Sequence, residues 1–298
     1  MGKCASVAIV GRPSSGKSTL VNTICESKVS ITSPSPQTTR NAIRGIYTDT
    51  RGQIIFTDTP GYHNSEKAFN RHMLDIVEKQ LEECDSVIYL IDATRAPGAE
   101  EDTISFMLSA LNVPVICCIN KNDIATPAQL EKTKSYLASH MPARKVFELS
   151  ALKDNGIDEI LIELFANAPE GELLYDENAR TDQDLEFRIS EIIREKAMNT
   201  VSAEIPQAIF VEVSDMEYDK ENAKIWVRAF ITVERESQKG IMVGKGGANI
   251  KKIRVVSFKE IKKIFPTLQL QLDLRVKVNS KWKSNEMTLK TVFRETQA

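Results

Sequence analysis

Gly11-Arg12-Pro13-Ser14-Ser15-Gly16-Lys17-Ser18 is the stretch on which the reading of this chain turns. It fits the pattern G-x-x-x-x-G-K-[ST]. Residues 6–10 (SVAIV) before it read as a short buried strand, and residues 18–25 (STLVNTIC) after it as the opening of a helix. The pattern carries chemistry only in that strand–loop–helix setting. Glycines let the backbone curl until successive N–H groups face inward and hold phosphate oxygens, and the helix N-terminus adds the positive end of its dipole. Residues 11–19, from Gly11 to Thr19, are therefore the expected phosphate contacts. Lys17 is expected to reach the β- and γ-phosphates and the Ser18 hydroxyl to ligate Mg²⁺. The competing reading is a glycine-rich turn that binds nothing.

Two further segments weigh against that turn. Asp58-Thr59-Pro60-Gly61 follows the apolar run 53–56 (QIIF). Behind a phosphate loop this places Asp58 at the carboxyl edge of a strand as the second Mg²⁺-associated position, with the Gly61 N–H facing the γ-phosphate. Asn120-Lys121-Asn122-Asp123 follows 114–119 (PVICCI), another buried strand. The Asp123 carboxylate accepts from the guanine N1–H and exocyclic amine, a donor pair that adenine lacks, so an adenine nucleotide would leave it unpaired. The Lys121 stem lies along the base, and Asn120 ties this loop to the first. Ser150-Ala151-Leu152 follows 146–149 (VFEL) and completes the set, with the Ala151 N–H donating to the guanine carbonyl.

These elements, in this order, resemble the Ras-like GTPases of the translation-factor branch. Residues 31–40 (ITSPSPQTTR) resemble the first switch segment of the Era-like GTPases. The resemblance implies that Thr38 or Thr39 closes over Mg²⁺ and the γ-phosphate, and the sequence leaves the choice between them open. A Ser/Thr/Pro-rich loop is what a switch needs, ordered only around the third phosphate. Lys17, Thr38, Thr39 and Gly61 are then the candidate catalytic residues, and Ser18, Thr38, Thr39 and Asp58 the candidate metal ligands.

The 298 residues favour two domains. Apolar and charged contents of 42% and 27% belong to ordinary soluble globular proteins. No run is long enough to span a membrane, and no signal-peptide layout precedes the first strand. Cys4, Cys25, Cys84, Cys117 and Cys118 show no metal-ligand spacing and read as reduced thiols of a cytoplasmic protein. The net charge of −2 conceals an asymmetry: residues 1–203 carry 21 Lys and Arg against 29 Asp and Glu, and the remainder carries 18 against 12. A basic C-terminal part suits a polyanionic partner.

The first part alternates strands, near 5–10, 43–49, 53–58, 86–92, 114–119 and 145–149, with helices near 17–26, 68–82, 99–111, 128–140 and 156–167. That alternation predicts a doubly wound α/β sheet with ligands at the carboxyl ends of its strands. Domain 1–168 is expected to end at the break 167–172 (NAPEGE), followed by an acidic linker over 169–182 and a second domain over 183–298. That domain opens with an amphipathic helix over 185–200, with Phe187, Ile189, Ile192 and Ile193 facing its core. Strands over 206–213 and 224–233 follow, joined by a long polar hairpin loop over 214–222. A helix over 248–265 and an alternating strand over 268–278 close it.

Gly244-Lys245-Gly246-Gly247 lies between two helical segments, behind an apolar Ile-Met-Val. It resembles the loop with which KH domains clamp the backbone of single-stranded RNA. Lys245, Lys251, Lys252 and Arg254 supply charge beside it. Trp226 reads as core. Trp282, between two lysines, divides evenly between RNA contact and surface packing. His63 adjoins the second switch, and His72 and His140 read as surface residues.

From phosphate loop to KH loop, nearly the whole chain resembles the Era-like GTPases. The fold this implies is a Ras-like P-loop domain with a mixed sheet, then an α+β type II KH domain. The resemblance further implies a monomeric cytoplasmic GTPase, using GTP/GDP and Mg²⁺, that binds small-subunit ribosomal RNA near its 3′ end and assists maturation of the 30S subunit. Two positions depart from the family pattern. The family loop reads G-R-P-N-V-G-K-S, where the Asn helps bind a K⁺ ion acting like an arginine finger; Ser14 and Ser15 replace Asn and Val, and the shorter Ser14 argues against K⁺ activation. Tyr62 stands where Ras-type enzymes place a water-orienting Gln, which implies slow unaided hydrolysis. An RNA-binding module with a merely structural GTP site is the alternative from another class, and peripheral association with the inner face of the cell membrane is a third.

Overall fold

The computed structural model describes residues 2–35, 38–62, 68–201 and 205–293. The chain divides into two compact units. One comprises Met1–Thr32 and Thr39–Asp182, the other Ser33–Thr38 and Gln183–Ala298.

The first unit holds strands β1 (Lys3–Val10), β2 (Ile43–Asp49), β3 (Gly52–Asp58), β4 (Ser86–Asp92), β5 (Val115–Asn120) and β6 (Val146–Glu148). They form a six-stranded sheet in the order β2-β3-β1-β4-β5-β6. β2 runs antiparallel to β3, and every other pairing is parallel. Every residue of β3, β4 and β5 is buried, which is why these strands read as unbroken apolar runs: helices cover both faces of a parallel sheet. The helices are α1 (Lys17–Ile24), α2 (Ala68–Glu83), α3 (Ala99–Ser109), α4 (Pro127–His140) and α5 (Asp158–Asn167). β1 lies between β3 and β4, so the chain crosses to opposite sides of it. The crevice at its carboxyl end is where such sheets take their ligands.

Residues 169–182, expected as a linker, pack onto this unit instead. The Cys4 N–H donates to the Pro169 carbonyl at 3.1 Å and the Ile46 N–H to the Arg180 carbonyl at 2.9 Å. The buried Gln53 side chain accepts from the N–H groups of Leu174 and Tyr175, both at 3.0 Å. Polar composition suggested a solvated tether, but a buried amide needs partners, and this segment supplies them. The unit therefore runs to residue 182.

The second unit contains α6 (Leu185–Thr200), α7 (Ile205–Ala208), β7 (Phe210–Asp219), β8 (Lys224–Val233), α8 (Glu236–Val243), α9 (Ala248–Ile264), β9 (Gln269–Val278) and α10 (Glu286–Phe293). β7 pairs antiparallel and β9 parallel with β8. The core joins Ile189, Ile192 and Ile193 of α6 to Val227, Ala229 and Ile231 of β8 and to Ile253 and Ile261 of α9. Phe187 is half-buried. Two expectations are corrected. Residues 205–208 form a helical turn, with Pro206 in the first turn where its missing N–H costs nothing, so the strand starts at Phe210. That strand also runs on through 214–219 behind a bulge at Val213/Asp215. Its far end is mostly polar and exposed, with only Met216 packed against the core; the ladder to β8 makes it a strand.

No helix among the described residues is long and apolar enough to cross a membrane. All five cysteines are free thiols.

Candidate nucleotide site and RNA loop

Each nucleotide motif leaves the carboxyl end of a strand: residues 11–16 follow β1, Asp58 ends β3, Asn120 ends β5, and Ser150 follows β6. Gly16 caps α1 at φ 104°, and a Cβ there would meet the Asn120 amide nitrogen at 2.2 Å. Glycine is thus required both by the left-handed backbone and by the neighbouring loop. Asn120 Nδ2 passes over it to donate to the Ser15 carbonyl at 2.8 Å, which is the tie between the two loops.

Lys17 opens α1 and is buried, its ammonium donating to the carbonyls of Gly11 (2.9 Å) and Arg12 (3.1 Å). Burial lowers its pKa to about 8, against the opposing pull of Asp58. Asp58 lies at full burial, which pushes its carboxyl upward while the Lys17 charge draws it down. Phosphate oxygens favour charged Lys17, so nucleotide binding takes up a proton wherever the free protein holds Lys17 neutral, that is, above about pH 8. GDP affinity is expected to fall roughly eightfold between pH 7.5 and pH 9. Calorimetry in buffers of different ionisation enthalpy should show proton uptake approaching one at pH 9. Equal affinities at the two pH values would return Lys17 to its ordinary range.

The two switch threonines differ in their surroundings. Thr39 Oγ1 lies 3.0 Å from Ser18 Oγ and donates to Asp58 Oδ2 at 3.2 Å. Thr38 sits in the second unit, where its hydroxyl donates to the Ser35 carbonyl at 2.6 Å and its own carbonyl accepts from Arg194. Asp58 Oδ1 is buried with no hydrogen-bond partner among the described residues. A buried carboxylate oxygen left open beside two hydroxyls is the donor set of a hard divalent cation, and Mg²⁺ fits it.

Other expected site residues also make contacts within the unit. The Arg12 guanidinium pairs with Glu100 (2.6 Å) and Glu101 (2.7 Å) at the start of α3, so its side chain anchors the loop to a helix. Pro13 abuts Gly61, where a Cβ would meet the Pro13 backbone at 2.8 Å. The Thr59 hydroxyl donates to the Ile9 carbonyl at 2.7 Å. The Ala151 N–H, expected on the guanine carbonyl, donates to Asn120 Oδ1 at 2.9 Å, and Leu152 is exposed. Asp123 is exposed beside them. Lys121 donates to the carboxylate of Asp92, a residue that the motifs did not single out. Its signal was present in the sequence: like Asp58, it is a carboxylate ending a buried apolar strand.

In the second unit, α8 ends at Val243 and is capped by Gly244, and a short 3₁₀ turn (Lys245–Gly247) leads into α9. Gly244, Gly246 and Gly247 have φ of 74°, 60° and 78°. A Cβ on Gly246 would meet nothing within 4 Å, so the loop presents open backbone. Lys245, Lys251, Lys252 and Arg254 are all exposed around it. The tryptophans reverse their expected places. Trp282 is 0% exposed, donates to the Ala208 carbonyl at 3.1 Å and stacks on Phe210, so no face is left for a base. Trp226 lies on the half-exposed face of β8 under the Arg228 guanidinium, 4.6 Å from its ring centre. His140 stacks on Tyr136 and His72 is half-buried on α2; His63 lies outside the described residues.

The profile described as "50S ribosome-binding GTPase" matches residues 6–121, and that described as "KH domain" matches residues 204–283. The chain is 50% identical over 288 residues to the GTPase Era of Treponema denticola, covering 96% of this chain and 98% of that protein. The chain belongs to the Era family of GTPases. Era of Borreliella burgdorferi is 41% identical, with 98% and 99% covered. Among solved structures, Era in complex with MgGDPNP and nucleotides 1506–1542 of 16S ribosomal RNA is similar at a TM-score of 0.92 and 34% identity, covering 98% of this chain and 99% of that one. An Aquifex aeolicus Era variant bound to GDP·AlF4⁻ is similar at the same TM-score and identity, covering 97% and 98%.

Within an Era-family loop, the Ser14 departure has a structural side. Ser14 adopts φ 65°, a left-handed conformation that Asn tolerates better than Ser. Ser15, in place of an apolar Val, is buried with its hydroxyl unpaired among the described residues. Tyr62 is half-buried, its N–H donating to the Gly11 carbonyl at 3.3 Å, so the second switch begins by bonding back to the phosphate loop.

Proposed function

We propose that this Era-family GTPase is a GTP-hydrolysing switch that binds small-subunit ribosomal RNA near its 3′ end through the KH unit and assists 30S subunit maturation in the cytoplasm. The observation that carries the switch reading is the meeting of Thr39, Ser18 and Asp58 around an open carboxylate oxygen. A static nucleotide lock needs no residue from the 31–40 segment at that point. Ser18, Thr39 and Asp58 would hold Mg²⁺, which when bound neutralises charge on the β- and γ-phosphates. Lys17 adds a positioned positive charge, and the Gly61 N–H, held against Pro13, faces the γ-phosphate. Asp123 and Lys121 select the guanine base. Gly246 and its flanking glycines admit an RNA backbone, and Lys245, Lys251, Lys252 and Arg254 pair with its phosphates. The 16S ribosomal RNA bound to the related Era structure supports that choice of partner.

The test is a pair of titrations at one fixed salt concentration, using single-stranded RNA from the 3′ end of 16S ribosomal RNA. Affinity with a non-hydrolysable GTP analogue is expected to exceed that with GDP by about 5- to 150-fold. RNA must then tighten analogue binding by the same factor. Gly246→Asp should weaken RNA binding in both states by charge repulsion. Asp tolerates the left-handed backbone of that position, so GDP affinity should stay the same. Equal RNA affinities in the two states would leave an RNA-binding module with a structural GTP site.

A further inference from the structure

Asp92 ends β4 at the edge of the guanine loop and is 6% exposed. Both of its oxygens are engaged. Oδ2 accepts from Lys121 Nζ at 2.6 Å, and Oδ1 accepts from the Thr94 N–H (3.0 Å) and the Thr94 hydroxyl (2.6 Å). Lys121 Nζ also donates to the Ser14 carbonyl at 2.9 Å. The clamp extends further, because the Thr94 carbonyl accepts from Gln129 of α4 at 3.1 Å. The helix that follows the guanine loop thus holds the turn that holds Asp92.

Lys121 itself sits at φ 67°, a left-handed conformation that a lysine keeps only when its surroundings impose it. Its Cα is fixed by the loop and its ammonium by Asp92 and Ser14. The four methylenes between are therefore held along one path, and that path is the surface on which a guanine ring would lie. A free lysine side chain samples many rotamers, and ordering them opposes binding. We infer that Asp92 is a positioning residue of the guanine site, fixing Lys121 in its base-binding rotamer before nucleotide arrives. The inference rests on the guanine-nucleotide reading above. The competing role for Asp92 is to stabilise the turn after β4 through Thr94, with no passage through Lys121.

A double-mutant cycle on the full chain separates these roles, with labelled GDP as the probe. Asp92→Asn keeps the shape and removes the charge; it is expected to weaken GDP binding about tenfold, chiefly through faster dissociation. Lys121→Ala is expected to lose at least as much. The double variant should then equal Lys121→Ala, because the carboxylate has nothing left to position. If the two losses multiply, Asp92 acts through the fold and the proposal is overturned. Should Asp92→Asn fail to fold, Thr94→Val loosens the same carboxylate; its few-fold loss is expected to vanish in the Lys121→Ala background, and persistence there would overturn the proposal. Wild-type protein that fails to bind GDP would overturn the guanine reading and this one with it. Normal wild-type binding with undiminished Asp92→Asn would overturn only the role of Asp92.

Discussion

Asp123→Asn is expected to weaken GDP binding by about 2–5 kcal/mol, roughly thirtyfold to a few thousandfold. The carboxylate can accept from the guanine N1–H and the exocyclic amine together. An amide offers only one acceptor, and its NH₂ group would face the amine donor to donor. The same argument predicts a gain elsewhere: xanthine carries a carbonyl where guanine carries that amine, so the variant should bind xanthosine diphosphate better than wild type does. Asp123 is exposed, and its replacement should leave the melting temperature nearly unchanged. Parallel titrations with GDP and xanthosine diphosphate check both directions. Unchanged GDP affinity would remove Asp123 from base recognition.

Lys17→Ala is expected to lower the single-turnover rate of GTP hydrolysis by about 10²–10³, the range seen when one positioned donor to developing charge is removed. Nucleotide affinity should fall as well, since Lys17 is the buried cation at the mouth of the phosphate loop. Burial already disfavours its charge in the free protein, so losing it does not remove a large stabilising term from the fold. The Ala variant should remain folded by thermal denaturation while hydrolysis collapses. Near-normal turnover at saturating GTP would show that the loop amides alone support the transferred phosphoryl group.

The contrast between these two residues and their neighbours shows what sequence could and could not reach. Lys17, Asp58, Asn120 and the three glycines between Gly244 and Gly247 were legible because their requirements are local. A phosphate loop needs its lysine and glycines at set spacing between a strand and a helix. A buried parallel strand is a continuous apolar run, so β3, β4 and β5 announced themselves and placed every nucleotide motif at one end of the sheet. Helices α1 to α6 and α9 were legible from periodicity with only their ends moved, whereas α7 had read as strand and α10 had not been foreseen.

The remaining features depended on neighbours distant in the chain. Thr38 and Thr39 are chemically alike, and which hydroxyl reaches Ser18 and Asp58 is set by how the backbone turns into β2. The Ala151 N–H looked available until Asn120, 31 residues earlier, took it. The Arg12 side chain meets Glu100 and Glu101 only because α3 packs beside the loop. Asp92 and Lys121 are 29 residues apart, and only adjacent parallel strands make them a pair. Residues 169–182 and 214–219 read as loop because they are polar. One instead satisfies a buried Gln53, and the other is a strand held by its ladder to β8. Trp282 looked exposed between two lysines, yet its indole is enclosed against Phe210 and bonded to Ala208. Sequence alone determined the residue types, their order and the ends of strands on which they stand. Tertiary structure decided which polar atoms meet, because a hydrogen bond is settled by distances of a few tenths of an ångström between segments that only folding brings together.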